Sequence, residues 1–286
     1  MSGTAPQADT PSPAPHADTP SYDDALRGGP GRLVELSAQA VADTLTPGSV
    51  LVLPVGSIEQ HGPHLPLVTD LLVAQAVAGA AVAGAIEAGR DVWELPALAY
   101  TKSDEHAWAA GTVWLDAETL LRTVVRIGDS VAATPARRLV FLNGHGGNTA
   151  LLQVACREVR RRTGLATFLM PATVPLDGGP AGEAGLGIHA GYDETSLVLY
   201  LRPDLVRMDL AVATLPGQVT AAQHLGFHGR HVTFGWLSDD FGPDGVIGDP
   251  RGATAQRGGE LFDAAVRAAV EALGEIASFD PAADRR

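Results

Sequence analysis

One stretch in the first quarter of the chain limits the possible folds more than any other. Apolar residues fill positions 50–55, broken only by Pro54, and such a run is typical of a buried strand. A polar loop follows and carries four ionisable side chains, Glu59, His61, His64 and Asp70. An alanine-rich segment over residues 71–89 then predicts a long helix. This order places the polar loop where open α/β sheets bind ligands, beyond the carboxyl ends of strands.

The donor atoms of this loop suit a divalent metal ion. Glu59 and His61 are two positions apart, so both side chains face one way in extended backbone. Imidazole and carboxylate together bind zinc, manganese or iron, and the two oxygens of Asp70 could bridge two ions. The alternative is an ordinary loop in which Glu59 is solvated and Asp70 caps the following helix.

The rest of the chain repeats the alternation of strand and helix. The predicted strands cover residues 50–55, 92–98, 138–142 and 166–170. The predicted helices cover residues 33–45, 71–89, 116–133, 149–162, 194–201 and 254–276. Pro96 suggests that the second strand lies near an edge of the sheet. The pattern predicts an α/β fold, a three-layer α/β/α sandwich with a mostly parallel sheet and right-handed crossovers.

Charge and composition exclude several classes of protein. The 286 residues include 20 Lys and Arg against 33 Asp and Glu, a net charge of −13, which argues against binding to nucleic acid or to an anionic membrane. Cys156 is the single cysteine, so no disulfide framework is possible. The sequence shows no signal peptide, and residues 71–86 read better as a core helix than as a membrane span. We therefore expect a cytoplasmic protein.

The first 30 residues differ in composition from the rest. They are rich in Pro, Ala, Ser, Thr and Asp, a composition that buries too little apolar surface to offset ordering. The sequence predicts a disordered arm over residues 1–30 and a single domain over residues 31–286.

Deleting residues 1–29 is expected to change the free energy of unfolding by less than about 1 kcal/mol, because a polar, proline-rich arm makes few buried contacts. Urea unfolding of the truncated and full-length proteins checks this. A large loss of stability, or a changed oligomeric state, would mean that the arm packs on the body or on a neighbouring subunit.

Further ionisable residues follow the other strands. His145 lies in the segment 143–148, Asn-Gly-His-Gly-Gly-Asn, directly after the third strand, while His189 and Glu194 follow the fourth. Parallel strands bring such loops to one edge of the sheet, so these side chains can converge on the Glu59 loop. The alternative for 143–148 is a tight turn with a structural histidine. Glu105 and His106 could contact a substrate or form a salt bridge within their loop.

These segments together resemble the motifs of a known family. Residues 58–66, with Asp70 after them, are similar to the opening motif of the creatininase (creatinine amidohydrolase) family. Residues 143–148 resemble its second motif. Gly111 and Thr112 resemble a third, and the segments 189–191 and 194–196 a fourth. The resemblance covers roughly residues 33–276.

The resemblance implies an enzyme. The expected reaction is hydrolysis of a non-peptide or cyclic amide C–N bond in a small-molecule substrate, with a hydroxide held between two divalent ions as nucleophile. Zinc is expected most, with manganese or iron as other options, and a homo-oligomer, often a hexamer, is implied. The implied metal ligands are Glu59, His61, Asp70 and His145. His189 would pass a proton to the leaving nitrogen.

One position departs from creatininase itself. A glutamate two residues after the second-motif histidine binds metal there, and here that residue is Gly147. Glu194 is the expected substitute ligand, as in family members of the His-Gly-Gly-Asn form, and the exchange argues against creatinine as substrate. The family also includes a peptidase of mycofactocin maturation, which the tail at residues 244–250 resembles. That peptidase activity is one alternative, and a non-catalytic ligand-binding protein is the other.

Overall fold

A computed structural model describes residues 30–178, 183, 186–227, 230–280 and 283 of the chain. The predicted arm at residues 1–30 lies outside these ranges except for its last residue. A single domain over residues 31–286 therefore stays a prediction.

Four parallel strands form the sheet in the described part of the chain. They are β1 (Val50–Val55), β2 (Val92–Glu94), β3 (Arg138–Asn143) and β4 (Ala166–Pro171), in the order β2-β1-β3-β4. β1 pairs with β2 on one side and with β3 on the other, in register from Val50 opposite Arg138 to Val55 opposite Asn143. All six residues of β1 are buried, as expected for a central strand covered on both faces.

Helices cover both faces of the sheet. They are α1 (Ala38–Thr44), α2 (Thr69–Glu87), α3 (Ala117–Ala132), α4 (Thr149–Thr163), α5 (Tyr192–Leu201), α6 (Gly217–Ala221) and α7 (Ala255–Ser278). Alternate strand residues face opposite layers: Val50 and Val52 pack with α2, α5 and α7, whereas Leu51 and Leu53 pack with α3 and α4. The predicted α/β/α sandwich with a parallel sheet is confirmed.

Helix α2 is long and apolar enough to span a membrane by length and composition alone. More than half of its residues, from Thr69 to Ala85, are buried in the fold. It is therefore a core helix, as the sequence indicated, and it delivers its first turn to the carboxyl end of the sheet.

The prediction for the second strand was too long. β2 ends at Glu94 rather than at residue 98, because Pro96 has no N–H to donate. The main chain still follows β1 beyond the proline, since Leu95 N donates to Val52 O at 2.8 Å and Leu98 N to Pro54 O at 2.9 Å. The expected edge position of this strand is confirmed.

The prediction of one helix over residues 33–45 was also wrong. A short 3₁₀ turn, Leu33–Glu35, precedes α1, and Ser37 separates the two. The Ser37 side chain accepts a hydrogen bond from Ala40 N at 3.2 Å, so it caps a new helix instead of continuing the old one.

Candidate metal centre and active site

The loop after β1 holds Glu59 in one orientation. Ser57 Oγ donates a hydrogen bond to Glu59 Oε2 at 2.9 Å, two residues along the extended loop. The other oxygen, Oε1, is buried and accepts no hydrogen bond from the described residues. A buried carboxylate oxygen without a donor is costly unless a cation occupies the space before it.

Asp70 turns its two oxygens toward different histidines. It lies in the first turn of α2, where the N-cap residue is Val68, so Asp70 is not the cap of this helix. Its Oδ1 lies 3.2 Å from His61 Nε2, and its Oδ2 lies 3.1 Å from His145 Nδ1. Oδ2, like Glu59 Oε1, accepts no hydrogen bond of good geometry from any described residue. One carboxylate therefore faces two adjacent sites.

Backbone carbonyls fix the tautomers of both histidines. His61 Nδ1 lies 3.1 Å from the Glu59 carbonyl, and His145 Nε2 lies 2.8 Å from the Lys102 carbonyl. A carbonyl oxygen can only accept, so each of these nitrogens carries a proton. The remaining nitrogens, His61 Nε2 and His145 Nδ1, face Asp70 and are the ones that would bind a metal after losing a proton.

The described residues form three groups of three donors, and two of these groups share Asp70. Within each group the donor atoms lie within 4.8 Å of one another. The two groups that share Asp70 are Glu59, Asp70 and His145 on one side, and His61, Asp70 and the half-buried Glu194 on the other. The third group is Glu59, His61 and His189. Carboxylate and imidazole donors at this spacing fit two divalent cations bridged by one carboxylate.

Glu194 therefore lies with His61 rather than beside Gly147. It sits in the first turn of α5, and its Oε2 accepts a hydrogen bond from Ala190 N at 2.6 Å. The space next to Gly147 is taken by another carboxylate, that of Glu105.

The loop 143–148 is held by its two asparagines. Asn143 Nδ2 donates to the His145 carbonyl at 2.7 Å. Asn148 Nδ2 donates to the Gly56 carbonyl at 3.2 Å, and Asn148 Oδ1 accepts from Lys102 N at 3.3 Å. The segment 143–148 is thus the tight turn that the alternative interpretation expected, and it also positions His145 at the candidate site.

His189 lies in a row of three imidazoles. Its ring centroid is 4.3 Å from that of His61 and 4.2 Å from that of His106. His189 Nε2 lies 2.7 Å from the Gln60 carbonyl and therefore carries a proton, while Nδ1 lies 3.8 Å from Glu59 Oε1. The free nitrogen of His189 thus faces the candidate metal ligands.

Glu105 and His106 occupy a short 3₁₀ turn, Asp104–His106, which lies against the candidate metal ligands. Glu105 Oε2 forms the predicted loop salt bridge with Lys102 Nζ at 2.8 Å, and Oε1 lies 3.4 Å from His145 Nε2. His106 Nε2 lies 3.5 Å from Glu59 Oε1, and its Nδ1 is buried without a hydrogen bond to the described part of the chain. Glu105 therefore contacts the candidate site through His145, and His106 contacts it through Glu59.

Crowding of buried charges shifts the pKa of each group. Burial disfavours a charge on His61, but nearby carboxylates, above all Asp70, outweigh burial and raise the pKa of His61 to about 10. Burial likewise opposes a charge on His145, and Glu59 and Asp70 raise its pKa well above the usual value. The two histidines in turn outweigh burial at Asp70 and hold its pKa well below the usual range. Burial raises the pKa of Glu194 to about 7.

Metal binding is expected to release about two to three protons at pH 7 as two ions bind, because the metal-free protein holds one on each of His61 and His145 and about half of one on Glu194. Since these protons compete with the ions, metal affinity should rise with pH. Calorimetric titration with Zn²⁺ in two buffers of different ionisation enthalpy measures the release. A value near zero would contradict the assigned protonation.

Sequence reasoning missed two residues that shape the site. Ser57, which orients Glu59, could have been found from its spacing of two in an extended loop. Glu183 accepts from Tyr192 N at 3.0 Å and from Asp249 N at 2.6 Å, tying the start of α5 to the tail segment. Its partners lie 9 and 66 positions away, so no local pattern could indicate them.

The tail segment, residues 244–250, forms backbone hydrogen bonds with His189. Ile247 N donates to the His189 carbonyl at 2.9 Å, and His189 N donates to the Ile247 carbonyl at 3.2 Å. These bonds form an isolated antiparallel bridge and fix the backbone at His189.

Fold and site together define an α/β/α protein with a candidate two-metal centre at the carboxyl edge of a parallel sheet. The family described as creatinine amidohydrolase matches residues 34–273. The chain belongs to this creatininase family and is a creatininase-family hydrolase.

Known relatives agree with this assignment. The mycofactocin precursor peptide peptidase of Mycobacterium ulcerans is 38% identical over 239 residues, which are 82% of this chain and 87% of that protein. The creatinine amidohydrolase of Pseudomonas putida is 38% identical over 192 residues, 58% of this chain and 71% of that protein. A mutant creatininase in its Zn-Zn form has a TM-score of 0.67 at 28% identity, covering 87% of this chain and 98% of that structure.

Proposed function

We propose that this protein is a two-metal amidohydrolase that cleaves a C–N bond in a precursor peptide of the mycofactocin type. The observation that carries the metal assignment is Asp70, whose two oxygens face two separate groups of donors that are buried except for the half-buried Glu194. Two divalent ions bound there would supply an activated water and polarise the carbonyl of the scissile bond.

Each ion has its own ligands in this proposal. Glu59, Asp70 and His145 hold the first ion, and His61, Asp70 and Glu194 hold the second. The donor set admits zinc, manganese or iron, and solved creatininases are named as zinc and manganese forms. Zinc is the expected native metal.

His189 serves as the proton carrier. Burial, together with the positive charge of neighbouring histidines, holds its pKa well below the usual value, so it is uncharged at neutral pH. Its Nε2–H is committed to the Gln60 carbonyl, which leaves Nδ1 to take a proton and pass it to the leaving nitrogen. His106, whose buried Nδ1 has no hydrogen-bond partner among the described residues, would contact the substrate.

A peptide substrate is supported by the similarity to the mycofactocin precursor peptide peptidase, which extends over 87% of that relative. Gly147 supports it too, because this chain lacks the glutamate expected at that place in creatininase. Creatinine is the second candidate, favoured by the 38% identity to the creatinine amidohydrolase over a shorter span.

The test is direct comparison of the two substrates. The zinc-loaded protein is incubated with a mycofactocin precursor peptide, before and after its other maturation steps, and separately with creatinine. Mass spectrometry is expected to show a shortened peptide and unchanged creatinine, and no product with chelated protein. Creatinine opening without peptide cleavage would establish the second candidate, and binding of either compound without turnover would favour a non-catalytic ligand-binding protein.

The proposed enzyme is cytoplasmic and homo-oligomeric, with a hexamer suspected from the family resemblance, and it binds neither nucleic acid nor membrane. Light scattering after size-exclusion chromatography measures the oligomer.

A further inference from the structure

Position 147 has no room for a side chain. A Cβ atom built on Gly147 would overlap Glu105 Oε1 and lie 2.5 Å from His145 Nε2. The φ of Gly147 is not in the left-handed region, so glycine is required here by the neighbouring atoms rather than by backbone conformation. The atom that fills the space is a carboxylate oxygen contributed by a residue 42 positions earlier in the chain.

Both carboxylate oxygens of Glu105 have a partner that holds the side chain in this place. Its Oε2 pairs with Lys102 Nζ at 2.8 Å, and its Oε1 lies 3.4 Å from His145 Nε2. The side chain is 11% exposed, against 45% for the neighbouring Asp104, which pairs with the same lysine at 2.7 Å. An ordinary loop salt bridge explains the contact with Lys102 but not the buried contact with His145.

The contact is made on the side of the imidazole that faces away from Asp70. His145 Nδ1 faces Glu59 and Asp70, while Nε2 faces the Lys102 carbonyl and Glu105. None of the three candidate metal groups among the described residues includes Glu105. Its carboxylate is therefore placed behind the ligand, where such partners orient a metal-binding histidine and increase its basicity.

We propose that Glu105 is a positioning residue for His145, and that Gly147 is present because Glu105 occupies its side-chain space. The inference rests on the proposed metal pair and deepens it. Glu105 and the Lys102 carbonyl together keep the proton on Nε2 and the ring in the orientation that presents Nδ1.

The test measures metal affinity rather than activity. The metal-free Glu105→Gln protein is titrated with Co²⁺ and then with Zn²⁺ in competition with a chelator. We expect one of the two ions to bind about 10- to 100-fold more weakly, with an altered Co²⁺ absorption spectrum, and the other ion to be unaffected. Asp104→Asn is the matched control, because it removes a carboxylate from the same lysine without touching His145, and it should leave both affinities unchanged.

A pair of variants separates the effect of filled space from that of the Glu105 charge. Gly147→Ala should weaken the same ion, because the methyl group displaces Glu105 and crowds His145. In the Glu105→Ala background, adding Gly147→Ala should cost less, since the overlapping oxygen is gone and only the close approach to His145 remains, so the two changes are non-additive. Circular dichroism of each metal-free protein ensures that folded proteins are compared.

Three results would overturn the proposal. Wild-type affinity for both ions in Glu105→Gln would show that the contact has no influence on the metal. Complete loss of one ion, with stoichiometry reduced to one at saturating Co²⁺, would make Glu105 a direct ligand instead. Additive effects of the Gly147 and Glu105 changes would separate the two residues. None of these results depends on peptide cleavage, so a wrong substrate assignment leaves the outcome readable.

Discussion

Replacing Asp70 with asparagine is expected to reduce the bound metal from about two ions to one or none and to lower turnover by about a thousandfold or more. The amide retains one oxygen, but its NH₂ group cannot bind a cation, so at least one group of donors loses its shared ligand. Loss of about 4 kcal/mol of transition-state stabilisation corresponds to about a thousandfold in rate. Metal analysis of the purified protein and steady-state kinetics measure the two effects.

The matched control for this change is Asp116→Asn. Asp116 also lies at a helix start, where it caps α3 by accepting from Thr119 N at 2.7 Å, and asparagine caps nearly as well. Metal content and activity should therefore stay at the wild-type level in the control. Two full equivalents of metal in Asp70→Asn would show that this carboxylate does not bridge. Glu59→Gln and His61→Ala are expected to lose metal and activity as well, each with the fold retained.

Replacing Glu194 with glutamine is expected to leave about one bound ion and almost no activity. If Glu194 were only a first-turn charge on α5, its loss would cost about 0.3–1 kcal/mol of stability and no turnover. Glutamine retains an oxygen that can accept from Ala190 N, so the local fold should persist. Metal content and turnover together decide between the two roles, because only a ligand affects both.

Two variants make the Glu194 result specific. Asp193→Asn changes the adjacent carboxylate, which pairs with Arg257 at 3.1 Å and is in none of the candidate metal groups, so metal content should be normal. His189→Ala should bind both ions but turn over slowly, because it removes the proton carrier and no ligand of the proposed pair. Normal metal and normal turnover in Glu194→Gln would require another ligand for the second ion.

Most of the fold was predictable because its elements carry local signals. The apolar run of β1, the Asp116 and Thr254 caps, and the left-handed Gly164 after α4 each depend on neighbours within a few residues. The errors arose where one residue interrupts a longer pattern. Ser37 begins a new helix inside an apolar periodicity, and Pro96 interrupts a strand that otherwise continues alongside β1.

The convergence of the candidate site was also predictable, since parallel strands bring their following loops to one edge. What could not be predicted was which donors share a group, because that depends on side-chain direction across three loops. Glu194 faces His61, and Glu105 fills the space at Gly147, although the sequence suggested only that some carboxylate was needed near there. The assignment of ligands to individual ions stays a prediction until metal is measured in the variants.

Asn148 has a consequence for redesign of this enzyme. Its side-chain amide joins Gly56, just after β1, to the backbone of Lys102. The groups that it contacts, the Gly56 carbonyl and the Lys102 N–H, belong to the main chain and do not depend on the side chains at those positions. The exposed side chains of the 99–104 loop, Tyr100 and Asp104, can therefore be exchanged without disturbing this joint, whereas Lys102 pairs with Glu105 and the Thr101 hydroxyl donates to the same Gly56 carbonyl. Changing the length of the loop would disturb this joint. One inserted residue would shift both the Lys102 N–H, which donates to Asn148, and the Lys102 carbonyl, which contacts His145 Nε2. Libraries that vary composition at constant length are the ones that should yield folded, metal-loaded catalysts.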